Sequence, residues 1–166
     1  MRVYIPATVA MLETLVADGQ LRPVSGTAFA VTPTLREAYA SGGDDELAEI
    51  ALRDAAVASL RLLAGAQDDP GTHPLRRAVL VADAEAVARP DLDDAVVRLA
   101  GPVALDDVVA AYVDNAEAEP AVRAAAAAVD RADLGDEDAE LLVGDAQDHD
   151  LAWYATQELP FLLELL

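Results

Sequence analysis

Residues able to do chemistry crowd one stretch near the C-terminus: Asp145, Asp148, His149 and Asp150, followed by Trp153, Tyr154, Gln157 and Glu158. An imidazole among carboxylates can help hold a divalent cation or act as a general base of raised pKa. Read as a helix capped by Asp148 or Asp150, the stretch stacks His149, Trp153 and Gln157 along one stripe. Asp150, Tyr154 and Glu158 then stack along its neighbour. Leu151, Ala155, Leu159 and Leu162 turn to the core, and Pro160 interrupts the helix before the apolar tail. The aspartates also have a plainer use, because carboxylates at a helix N-terminus satisfy free N–H groups and suit the dipole. His149, Asp150, Trp153, Tyr154, Gln157 and Glu158 are therefore the expected ligand- or partner-binding residues. No residue is assigned to catalysis, and no metal or cofactor is called for.

Composition removes several chemistries. The chain of 166 residues has no cysteine, so disulfides, thiolate zinc sites, iron–sulfur clusters and thiol nucleophiles are excluded. All 11 basic residues are arginine, which removes Schiff-base lysine chemistry. There is no Gly-x-Gly-x-x-Gly, no phosphate-loop lysine and no Gly-x-Ser-x-Gly, so nucleotide and serine-hydrolase fingerprints fail. The stretch from Asp130 to Leu141 imitates a calcium loop, but Ala132, Leu134 and Leu141 stand where ligands are needed. A net charge of −20 repels phosphate backbones and argues against nucleic acid as a partner. Mimicry of nucleic acid is a weaker alternative. No apolar run reaches the length of a membrane span and no leader pattern precedes Arg2, so a cytoplasmic location is expected.

The elements that must position these residues alternate in type. Arg2–Ile5 reads as a strand ended by Pro6, and Thr8 offers a cap to a helix closed by Asp18-Gly19. Residues 27–31 form a second strand. The next helix starts at Thr32-Pro33 or, through a capping box with Glu37, at Thr34. A long helix from Asp45 to Leu63 is apolar on two faces and should be the most buried, with Glu49 and Arg53 paired on its wet edge. Residues 67–75 form the clearest loop, holding His73 as a solvated turn residue and marking a boundary between halves of one domain. Strands follow at 77–82 and 95–100, residues 109–113 read as a strand with a helix as the alternative, and Arg76-Arg77 reads as strand-edge charge in preference to an anion site. An alanine-rich helix spans 119–131, and residues 140–143 read as a last strand.

Laid out this way, the chain resembles a family of small acidic conserved-hypothetical proteins from actinobacteria. MRVYIPAT, FAVTPTLREAY, AAYVD and DHDLAWYATQELP carry the likeness. The resemblance implies an intact intracellular protein and brings no activity, cofactor or catalytic residue with it. The expected architecture is a single α+β domain over residues 1–166, a mixed sheet of five or six strands packed by helices, with a ferredoxin-like arrangement as one form. The expected function is non-enzymatic: binding a protein partner with a basic surface through an acidic, partly aromatic face. The alternative is a divalent-metal enzyme or small-ligand binder centred on the C-terminal helix.

Overall fold

Thr8 starts the first helix as its sequence demands, its Oγ1 accepting from the Met11 N–H at 3.2 Å. The computed structural model describes residues 1–65 and 73–166, so most of the loop expected at 67–75 lies outside the described residues. Strand β1 (Arg2–Ala7) leads into α1 (Val9–Asp18), which ends at Gly19 with φ 76°, a left-handed position that favours glycine. The short β2 (Gln20–Leu21) and β3 (Thr27–Phe29) follow. Thr32, not Thr34, caps α2 (Pro33–Ala38), its Oγ1 accepting from the Leu35 N–H at 3.1 Å. The long α3 (Asp44–Gly65) precedes β4 (Ala78–Asp83), β5 (Ala86–Ala88), β6 (Val96–Leu99), β7 (Val103–Ala104) and β8 (Val108–Val113). Then come α4 (Glu119–Asp133), α5 (Glu137–Gln147), β9 (Ala152–Ala155) and α6 (Leu159–Leu165).

One sheet draws strands from the whole chain, in the order β5-β6-β3-β1-β4-β8-β9, and β2 pairs with β7 in a separate ribbon. The α+β class is as expected. The main sheet has seven strands and not five or six, and its pairings are antiparallel throughout. Because β3 and β4 both run against β1, they are parallel to each other, with α2 and α3 making the crossover. This is a split β–α–β unit of the kind ferredoxin-like arrangements use.

Side chains alternate across the sheet and divide the core. Val3, Ile5, Leu80, Ala82, Ala111 and Val113 face α1 and α6, meeting Leu12, Leu15, Leu159 and Leu162. Phe29, Val79 and Val96 face α2 and α3, meeting Leu35, Leu47, Ala51 and Ala55. Strand β4 is covered on both faces, which explains why its sequence runs apolar without alternation. The second half of α3 packs Leu60 and Leu63 against Val122, Ala125 and Val129 of α4, so the expectation of a helix buried on two sides holds. Ser59 stitches α3 to the sheet: its hydroxyl donates to the Ala7 carbonyl at 2.7 Å and accepts from the Ala78 N–H at 3.1 Å.

The C-terminal third corrects the sequence reading. Residues 140–143 lie inside helix α5, which Asp136 caps by accepting from the Ala139 N–H at 3.0 Å. Glu137, Asp138 and Glu140 in its first turn suit the dipole. Asp148–Asp150 therefore follow a helix and do not start one. Residues 152–155 form β9, paired to β8 through Val113↔Ala152, Tyr112↔Trp153, Ala111↔Tyr154 and Ala110↔Ala155. Pro160 stands in the first turn of α6, where its missing N–H costs nothing, and so opens a helix where interruption was expected.

Candidate functional site

The loss of the terminal helix dissolves both predicted stripes. His149 and Asp150 sit on the connection from α5 to β9, Trp153 and Tyr154 on β9, and Gln157 and Glu158 on the 3-10 turn after it. Successive strand residues face opposite ways. Tyr154 accordingly packs against the core shared by α1 and α6, while Trp153 stands beside Tyr112 on the α3 face. Glu158 is used internally, its Oε1 accepting from the Ala155 N–H at 3.1 Å. Gln157 is exposed.

His149 and Asp150 do meet other polar groups, in a cleft of about 380 Å³ on the α3 face. Glu49, Leu52, Arg53 and Ala56 of α3 form one wall. Tyr112 of β8 and the Arg77 side chain supply the floor, and Gln147, His149, Asp150 and Leu151 the opposite wall. Trp153 lies next along the sheet, 57% exposed.

Arg77 is the anchor of this arrangement, and its reading as strand-edge charge is overturned. It is 1% exposed and paired to Asp114, also 1% exposed. The two flank the last ladder pair of β4 and β8, Ala78↔Val113, so strand pairing brings them together. Arg77 Nε donates to Asp114 Oδ2 at 2.9 Å and Nη2 to Oδ1 at 2.7 Å, a bidentate fork closed by the Arg77 N–H at 2.7 Å from Oδ2. Nη2 also donates to the His149 carbonyl at 2.8 Å, and Nη1 to Gln147 Oε1 at 2.8 Å. Gln147 Nε2 in turn donates to the Arg53 carbonyl at 3.3 Å, which ties the two walls together. A buried charge pair therefore fixes the backbone that carries His149.

Five side chains of the lining are unspent. Among the described residues the side chains of Glu49, Arg53, Tyr112, His149 and Asp150 form no hydrogen bond or ion pair with one another or with their surroundings. The expected Glu49–Arg53 pair is absent, although the two stand one turn apart. Burial pushes the Tyr4 phenol above its usual range, with lesser upward effects from Tyr112 and Glu49. Neighbouring Asp54 is raised to about 6, chiefly by burial and then by Asp93. His73 lies elsewhere, its Nε2 2.7 Å from Glu13 Oε2.

Sequence spacing pointed to Glu49 and Arg53 only as a mutual pair. Arg77, Asp114, Tyr112 and Gln147 gave no local signal, because their convergence depends on the β4–β8 ladder and on α5 being a helix. Among the described residues no three of His, Asp and Glu gather as a cation would require, and no helix is long and apolar enough to cross a membrane.

Fold and site together define an acidic α+β protein with an open polar cleft between a sheet face and its longest helix. Residues 1–163 match the family of unknown function DUF6912, and the chain belongs to that family. No curated protein and no solved structure matches it.

Proposed function

We propose that the protein is a non-enzymatic binding module that takes a basic, extended segment of a partner protein along the Trp153 edge of its sheet. The observation that carries this reading is the placement of Trp153, more than half exposed on the terminal strand, in a molecule of net charge −20. Exposed Asp148 and Asp150 precede it on the chain. An exposed indole is an unusual surface to leave to water and a good platform for arginine or lysine side chains. Carboxylates around it steer such a partner and discriminate against acidic ones. A cytoplasmic setting and an actinobacterial origin go with this reading; the lysine-free, alanine- and valine-rich composition is that of high-GC coding. A divalent-metal enzyme at the same residues has no comparable support.

Trp153 is the sole tryptophan, so its emission reports on the surface directly. Titration with an arginine-rich peptide should shift that emission saturably, and higher salt should weaken binding by about tenfold or more. Asp148→Asn with Asp150→Asn should weaken it likewise, whereas Glu137→Gln with Asp138→Asn on α5 should not. Equal weakening by the remote pair would reduce the effect to general charge attraction and remove the reading.

A further inference from the structure

We propose that the cleft beside this edge, which shares Asp150 with it, is a site for a small zwitterion of the free α-amino-acid class. Its lining carries both signs of charge without pairing them: Glu49 and Asp150 are anionic, Arg53 is cationic, and none has an ion-pair partner among the described residues. Arg77 adds a further donor. Four of its five guanidinium N–H groups are used, by Asp114 twice, Gln147 and the His149 carbonyl, which leaves one on Nη1. That side chain is 1% exposed yet lines the cleft.

A ligand of one charge fits this lining poorly. A simple anion meets Glu49 and Asp150 inside a molecule of −20, and a simple cation meets Arg53 and Arg77. Opposite charges a few bonds apart satisfy both sets, the carboxylate toward Arg77 Nη1 and Arg53, the ammonium toward Glu49 and Asp150. The Tyr112 ring, with Leu52 and Leu151, offers apolar contact. A volume of about 380 Å³ suits a molecule of that size and excludes a folded partner. The rigid part of the site is the Arg77–Asp114–Gln147 network, and the adaptable part is the exposed pair on α3.

Calorimetric titration of the full chain with the free amino acids, one at a time, tests the assignment. At least one should bind saturably. Its N-acetyl and its amide derivative should each bind at least about tenfold more weakly, because each masks one charge. Glu49→Gln and Arg53→Ala, both at exposed positions of α3, should cause similar losses with unchanged melting, and Trp153→Ala should leave binding intact. The absence of saturable heat with every amino acid overturns the proposal, as does binding that ignores both masked derivatives or both substitutions. Arginine-rich peptide binding that survives Arg53→Ala while amino-acid binding is lost separates this site from the partner edge. Loss of the peptide response alone would strike the partner reading and leave the cleft standing.

Discussion

Arg77 and Asp114 show how much a single pairing decides. Each is taken out of water, and each is tolerable only because the other is there. Asp114→Ala leaves a guanidinium stranded in the interior and should destabilise the fold by about 3–5 kcal/mol in chemical denaturation. Replacing both, Arg77→Met with Asp114→Leu, should recover part of that loss, because it removes the stranded charge while the Arg77 N–H and the His149 carbonyl lose their partners. Stability and binding then part company: the double variant no longer holds Gln147 and the His149 carbonyl, so it should fold and still fail to bind in the cleft. Recovery of both would show that the network is only structural. Asp54 makes a second test through pH. Its folded pKa of about 6 lies above the ordinary 3.8, because burial and then Asp93 disfavour the carboxylate. The folded state therefore holds the extra proton. The associated stability is complete below about pH 4 and lost as pH rises through about 6. Asp54→Asn should gain ~1 kcal/mol at neutral pH, a figure reduced for solvent screening, and almost nothing in acid. Equal gains in melting temperature at both pH values would place the effect elsewhere.

Helix α3 ties sheet, second core and cleft wall into one unit, and Ser59 is its stitch. The hydroxyl enters the end of the β1–β4 ladder at Ala7↔Ala78, where both neighbours are wholly buried. Ser59→Ala leaves a buried carbonyl and a buried N–H unpaired and should cost about 1–3 kcal/mol. Hydrogen exchange should quicken at Ala78 before it does in α1; uniform acceleration would mean the stitch is not local. Elements with their own signals were legible in the sequence: β1, the Thr8 cap and Gly19 stop of α1, the two-sided face of α3, the unbroken apolar run of β4. What failed was the stretch after Asp136, and for a physical reason. ELLV is apolar enough for a strand, but Asp136 and an acidic first turn make it a helix. Trp153 and Tyr154 favour strand when a neighbour is available, and β8 is that neighbour only after folding. Of the predicted site, His149 and Asp150 line the cleft because the connection they occupy is fastened to Arg77. That contact spans 72 residues of chain and has no local trace.

Charge governs what remains. Six of the 11 arginines form ion pairs within 4 Å among the described residues, those of Arg2, Arg36, Arg61, Arg76, Arg77 and Arg89. The chain carries 31 carboxylates, so most of the surface is negative without local compensation. Two consequences run in opposite directions with ionic strength. Self-repulsion of a −20 molecule is long-ranged and mostly through solvent, so salt relieves it and should raise the melting temperature. Each kcal/mol relieved is worth about 2–4 °C at this length. The exposed pairs, such as Arg2–Asp83, are short-ranged and individually weak, so their screening should not reverse the trend. The proposed attraction of a basic segment to the Trp153 edge would depend on the same field and should fade over the same range of salt. Sodium chloride is the salt to use, because sulfate would strengthen burial by itself. A protein that melts higher in salt while releasing its arginine-rich peptide behaves as one whose acidity serves recognition at a cost in stability. A melting temperature that falls in step with peptide affinity would mean that the pairs, and not the net field, dominate the surface.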